Sequence, residues 1–244
     1  MQKEIGHYWY AEWFNSPFYH ILYKDRDHIE AHDFMNHLTA FLELPKNANI
    51  LDLACGKGRH SIYLNQLGYR VVGADLSASS IAFAKQFENE TLQFVEHDMC
   101  LPFTRKFDAI FNLFTSFGYF EVEEDNLRTI KAIKAGLKVN GLGVIDFLNS
   151  ENVVKNLVTS QIKEVDGIAF HIEKYLEGGH IIKKIHFVHD SKEYNFAEKV
   201  KALTLKDFNN YFDQAGVSLK HCFGDYHLTD FQPETSERLI LIFN

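Results

Sequence analysis

Apolar positions along the chain follow two alternating periodicities. Short apolar runs at residues 50–53, 69–73, 92–95, 107–111 and 143–147 have the length and β-branched or aromatic content of buried strands. Between them apolar residues recur at helical spacing: Tyr63, Leu64 and Leu67, then Phe83 and Phe87, then Leu127, Ile130, Ile133 and Leu137. These stripes read as helix faces packed on a core. Strand followed by helix, repeated, predicts βαβ units and a parallel sheet covered on both sides, a doubly wound α/β fold.

The pattern changes from Gln161 onward. Residues 168–176, 181–189 and 194–202 read as three strands, the last alternating Tyr194, Phe196, Val200 and Ala202 on one face. Glu177-Gly178-Gly179-His180 supplies a hairpin turn between the first two. This is a small antiparallel β insertion after the fifth parallel strand. Thr204 and Asp207 then have capping-box spacing, with Phe208, Tyr211, Phe212 and Ala215 on one helix face and Gly216 as a stop. Residues 217–223 and 239–243 complete seven mostly parallel strands. The expected division is a single domain over 1–244. It comprises an N-terminal helical, aromatic segment (1–45), a core (46–160), the insertion (161–203), and a last helix with closing strands (204–244).

Composition narrows the class. With 244 residues, 46% of them hydrophobic, the chain can bury one sizeable core. No apolar stretch approaches the ~20 residues of a membrane-spanning helix, and the polar start lacks a signal-peptide layout, so a cytoplasmic protein without a membrane partner is expected. Three cysteines, one inside a glycine loop, argue against a disulfide framework. A net charge of −8, from 33 acidic and 25 basic residues, argues against a nucleic-acid partner, which requires a positive footprint.

The candidate chemistry begins at Asp52-Leu53-Ala54-Cys55-Gly56-Lys57-Gly58, between a strand and a helix. Glycines there let backbone approach a ligand closely, and the helix start offers unpaired N–H groups. Asp75 ends the second strand, where a carboxylate can accept both hydroxyls of a ribose. Asp98 follows the third strand, in position to read an adenine amino group.

Taken in order, these segments resemble the class I S-adenosylmethionine methyltransferases. Asp52 to Gly58 resembles their first motif, and Val72-Gly73-Ala74-Asp75-Leu76-Ser77 the second. Glu96-His97-Asp98-Met99 and Phe107-Asp108-Ala109-Ile110-Phe111-Asn112-Leu113 resemble the third and fourth. Leu137 to Gly143 resembles the usual Leu-x-Pro-Gly-Gly turn, with Asn140 in place of proline. The resemblance implies a Rossmann-like sheet and S-adenosyl-L-methionine as cofactor. Ala54, Gly56 and Gly58 would pass beneath its methionine part, with Asp52 near the amino group. Asp75 would hold the ribose, Leu76 would pack on adenine, and Asp98 with Met99 would read the adenine edge. Asn112, Leu113 and Phe114 would line the sulfonium end.

Two further regions carry expectations. Seven aromatics between Tyr8 and Tyr19 suggest either a helix packed on the sheet or a lid that excludes water from the reacting centre. Arg26 stands about where glycine- and sarcosine-type N-methyltransferases, by resemblance, place an arginine on the cofactor carboxylate. Acceptor contacts are sought among Tyr8, Trp9, Trp13, Phe117, Tyr119 and Asn149, with no spacing that singles out a base. His60, in the helix after the glycines, reads as packing. His28, His32 and His37 share a helix but lack the companions of a metal site, and no metal is expected.

The fourth motif, Asn112-Leu113-Phe114-Thr115, lacks the Pro-Pro-Tyr/Phe of enzymes that methylate exocyclic base amines and a Pro-Cys nucleophile. With the acidic charge, this favours a small-molecule N or O acceptor; a monomer or homodimer is expected. The alternatives are a tRNA or rRNA methyltransferase, a non-catalytic S-adenosylmethionine-binding module, and an NAD(P) oxidoreductase, which would place Gly-x-Gly-x-x-Gly directly after the strand.

Overall fold

The computed structural model describes residues 13–14, 16–24 and 28–244, with only the backbone of His28. The main sheet has seven strands in the order β10-β11-β5-β4-β1-β2-β3. These are β1 (Asn49–Leu53), β2 (Arg70–Asp75), β3 (Leu92–Glu96), β4 (Phe107–Asn112), β5 (Leu137–Leu148), β10 (Leu219–Phe223) and β11 (Arg238–Phe243). β11 runs antiparallel to both its neighbours, and the pairs among β1 to β5 are parallel.

Alternation along the strands divides the core in two. Ile50, Val71, Phe94, Phe111, Val144 and Ile240 face α2 (His28–Phe41), α3 (Arg59–Gln66) and α4 (Ala78–Ala84). Leu51, Val72, Ile110, Ile145 and Leu241 face α5 (Glu123–Gly136) and α7 (Leu205–Ala215). Each large side chain so buried contributes about 1.5–3 kcal/mol. The expected helix stripes are not uniformly inward. Leu64, Ile130 and Ile133 are buried, whereas Leu67, Phe83 and Phe87 are exposed. α4 is a short helix that buries Ile81 and Ala84 instead, which leaves Phe83 pointing outward.

The insertion is a separate four-stranded antiparallel sheet: β6 (Ser160–Val165), β7 (Ile168–Glu177), β8 (His180–His189) and β9 (Lys192–Lys201). α6 (Ser150–Lys155) leads into it. Its three hairpins close on two residues with positive φ: Asp166-Gly167, Gly178-Gly179 and Asp190-Ser191. That geometry matches the twist of the paired strands. α1 (Pro17–Leu22), preceded by Trp13, covers one face of this sheet. The capping box of Thr204 and Asp207 and the left-handed Gly216 bound α7 as the sequence predicts.

Around residues 137–143, β4 pairs with β5 at Phe107↔Leu137 and again at Ala109↔Leu142. The chain between bulges, with Asn140 at φ 64°. The turn inferred from the sequence is thus a bulge at the start of a longer strand.

Candidate active site

Parallel strands bring the ends of β1, β2, β3 and β4 to one edge, and β10–β11 closes it from the side. At the end of β1, alternation turns Asp52 toward α3, where its Oδ2 accepts from the Ser61 hydroxyl at 2.5 Å. The carboxyl is buried, and burial raises its pKa to about 6. Asp52 thereby anchors the first turn of α3 to β1. The chain next passes through left-handed conformations at Ala54, Gly56 and Gly58. A Cβ on Gly56 would meet nothing within 4 Å, so open space lies over the loop. A Cβ on Gly58 would instead lie 2.4 Å from the Phe94 ring. Gly58 is required for close packing of α3 on β3.

Asp75 reaches this loop from β2. Its Oδ2 accepts from the Gly56 amide at 2.7 Å and its Oδ1 from the Ser77 amide at 2.8 Å. Both oxygens are fixed, and each keeps lone pairs for another donor. Leu76 beside it is half exposed, an apolar surface facing the edge. Asp98 accepts from the Cys100 amide at 2.9 Å, which shapes the turn carrying Met99. Asn112, at the end of β4, donates to the Leu53 carbonyl at 3.0 Å. Its fully buried Oδ1 has no hydrogen-bond partner among the described residues. An orphaned buried acceptor costs roughly 1–3 kcal/mol, which a ligand donor would recover. These features fit a nucleoside lying across β1, β2 and β4, the crevice where the strand order reverses.

Beyond β4 the chain makes two successive left-handed residues, Phe114 at φ 57° and Thr115 at φ 59°. Leu113 before them is buried in the core. The Phe114 ring stacks on His60 of α3 at 4.3 Å between centroids. It also meets Tyr226 at 5.5 Å and Phe34 at 6.0 Å. His60 is thus a packing partner, and its Nε2 accepts from the Arg59 guanidinium. Tyr226 and Phe34 belong to the wall of a cavity of about 630 Å³ between α2 and the β10–β11 loop. Glu30, Asp33, Asp225, Asp230 and Glu237 line it, together with Arg238. One ring, Phe114, therefore packs on both the glycine-loop helix and two residues of the cavity wall.

Several expected acceptor contacts are placed elsewhere. Phe117 is fully buried against Phe208 of α7, as part of the core. Asn149 donates from its amide to the carbonyls of Pro233 and Ser236, both at 2.8 Å, and so ties down the β10–β11 loop. Trp13 is fully buried, 4.6 Å from the Phe196 ring, with its indole N–H donating to Glu198 at 2.8 Å. These three are corrected to structural roles. Tyr119 lies beside Phe14 at 5.6 Å, where α1 and the insertion meet the loop after β4. Tyr8, Trp9 and Arg26 lie outside the described residues. His32 stacks on Tyr63, and the His37 ring meets the Tyr226 carbonyl.

The cavity residues were missed in the sequence. The nearest signal is Asp146 within Val144-Ile145-Asp146-Phe147, an acid in an otherwise apolar buried strand that the structure pairs with Arg238 of the cavity lining.

Comparison with known proteins points to the same family. A family model described as a methyltransferase domain matches residues 50–141. A Bacillus subtilis protein named as a methyltransferase, YqeM, is 27% identical over 227 residues, covering 87% of this chain and 91% of its own length. These likenesses identify a methyltransferase domain in the chain and support the class I S-adenosylmethionine-dependent family. Among solved structures, a methyltransferase from Clostridium acetobutylicum shares the fold with a TM-score of 0.78 at 21% identity, covering 93% of this chain and 95% of its own. CalS10, an amino pentose methyltransferase from Micromonospora echinaspora with bound cofactor, shares it at 0.71 and 18%, covering 93% and 96%. The glycine loop of this methyltransferase and its Asp75 both fall within the matched segment, as does the left-handed pair after β4. Among its described residues no helix is long and apolar enough to cross a membrane.

Proposed function

We propose that the methyltransferase holds S-adenosyl-L-methionine over Gly56 and Asp75 and methylates an amine-bearing small molecule held in the cavity behind Phe114. The observation that carries this reading is the shared ring. Phe114 touches the helix that follows the glycine loop on one side and the cavity wall on the other. A group reaching past it from the cavity meets the sulfonium end of a cofactor laid along the loop.

When bound, the sulfonium supplies the methyl group for an in-line displacement. The chain's own work is alignment, which contributes up to roughly 7–11 kcal/mol in favourable cases. Asp75 fixes the ribose and Asn112 Oδ1 receives a cofactor donor. The acidic walls attract a protonated amine and orient it. CalS10, a fold neighbour at 18% identity, is an amino pentose methyltransferase, which is in keeping with an amino-group acceptor.

Two measurements test the reading. Calorimetry with S-adenosylhomocysteine is expected to show binding that Asp75→Asn weakens about ten- to hundredfold, the loss of one or two charged hydrogen bonds. Labelled S-adenosylmethionine, offered amino sugars and simple amines in parallel with hydroxylated analogues and transfer RNA, is expected to label amines. Absence of homocysteine-nucleoside binding overturns the cofactor placement. Labelling of RNA or hydroxyls alone overturns the acceptor.

A further inference from the structure

The left-handed pair after β4 is an unusual place for Phe114 and Thr115. Residues with a Cβ are strained there, and they persist when the surroundings over-determine them. Those surroundings centre on one carboxylate. Asp146, on β5, is fully buried. Its Oδ2 accepts from the Phe114 amide at 2.7 Å, and its own carbonyl accepts from the Thr115 amide at 3.0 Å. Its Oδ1 accepts from Arg238 Nε at 2.8 Å and lies 2.7 Å from Arg238 Nη2. Nη2 also donates to the Thr115 hydroxyl at 2.9 Å. The Tyr226 hydroxyl donates to Asp146 at 3.4 Å, and the Arg238 guanidinium lies over the Tyr226 ring at 5.4 Å.

This arrangement joins three segments that are distant in sequence. They are the loop after β4, the end of β5 and the start of β11, where antiparallel pairing sets Arg238 beside Leu148 at the same edge. One edge of the planar guanidinium is used, with Nε on the carboxylate and Nη2 shared between the carboxylate and the loop. A lysine, with a single point of charge, cannot span both. Burial raises the Asp146 carboxyl from its ordinary value, and the Arg238 charge, the Phe114 amide and the Tyr226 hydroxyl pull it back.

We propose that Asp146 and Arg238 are positioning residues for methyl transfer: together they clamp Phe114 and Thr115 into the left-handed loop that separates cofactor from acceptor. The assignment rests on the placement of cofactor and acceptor proposed above. Neither residue touches the reacting atoms. They fix the wall on which both ligands meet, and a shift of about 1 Å at such a wall is costly to transfer.

The test uses the full chain with two readouts: amide exchange at Phe114 and Thr115, and calorimetric affinity for S-adenosylhomocysteine. Arg238→Lys and Thr115→Val are expected to speed exchange at these two amides and to weaken the nucleoside by roughly tenfold, the effect of one lost charged hydrogen bond. Thr115→Ser, which keeps the hydroxyl, restores both readouts. Asp146→Asn is expected to act more strongly; if it does not fold, the Arg238 and Thr115 variants carry the test. Folded variants that keep the parent exchange at Phe114 and the parent affinity overturn the proposal. Faster exchange with no nucleoside binding by the parent protein instead overturns the cofactor placement and leaves the clamp standing.

Discussion

Asp52 carries a buried carboxyl that is favoured in its charged form by the Ser61 hydroxyl and amide and by the more distant charge of Arg59. Folding takes this group out of water, and desolvation outweighs the hydrogen bond, so its pKa is raised to about 6 from an ordinary 3.8. The folded state then binds its proton more tightly than the unfolded chain does. The penalty is absent below the unfolded pKa and grows as pH rises through about 6, reaching on the order of 3 kcal/mol at neutrality. Asp52→Asn keeps an oxygen to accept from Ser61 and removes the charge. The stability of the variant relative to the parent is therefore expected to increase between pH 5 and pH 8, read by urea unfolding at each pH. A difference that does not change with pH would show that Asp52 is solvated in the folded state. The sequence marks this residue as a ligand contact because an acid ahead of a glycine loop resembles its family's motif. It does not reveal that strand alternation turns the carboxyl toward α3, because that depends on which helix packs on which face. Asp75 is different. Its place as the last residue of a strand is visible in the sequence, and the structure adds its two amide donors.

Among the elements, α1 and the insertion form the part least legible from sequence. β6, Ser160-Gln161-Ile162-Lys163-Glu164-Val165, is a mostly exposed edge strand whose polar composition hides it. Its pairing is fixed by the Asp166-Gly167 turn and by β7. The aromatic segment reads equally as lid or as packing, because both need rings. For Trp13 and α1 the structure supplies a packing partner. Trp13 and Leu22 join Phe170, Ile172, Ile185 and Phe187 in a third core, while Phe18 meets Phe187 at 4.8 Å and Tyr194 at 4.6 Å. Polar contacts add to this: Tyr23 and Trp13 both donate to Glu198, and Lys183 pairs with it. On α1, burial lowers the pKa of His20, and the Lys57 charge of the glycine loop adds to it. Without ligand, amides of α1 are thus expected to exchange slowly, together with those of β7 and β8. Trp13→Ala is expected to cost about 3–5 kcal/mol by leaving a cavity in the insertion core. Fast exchange in α1 alongside a protected insertion would restore the lid reading for this segment. The parallel core, by contrast, was legible almost throughout. Its strands are buried on both faces and therefore read as continuous apolar runs.

For the molecule as a whole, the net charge of −8 has a local counterpart in the cavity. Glu30 and Asp33 on α2 face Asp225, Asp230 and Glu237 across about 630 Å³, with Arg238 already committed to Asp146 and Thr115. Like charges gathered around a concave site focus the field and raise the local concentration of a cation. The field differs from the clamp in its response to salt. Attraction between exposed charges decays over about 10 Å at 0.1 M ionic strength and about 3 Å at 1 M, whereas a buried ion pair is screened far less. For an amine acceptor below its own pKa, kcat/KM is therefore expected to fall as salt rises, through KM, while kcat holds. Asp33→Asn combined with Glu30→Gln should raise KM at low salt and flatten the salt dependence, with S-adenosylhomocysteine affinity unchanged because neither residue borders the glycine loop. Steady-state kinetics at several ionic strengths, on the parent and the double variant, separates this from a steric role. Loss of affinity for acceptor that persists equally at every salt concentration would mean that α2 shapes the cavity through packing, and that its carboxylates do not steer the amine.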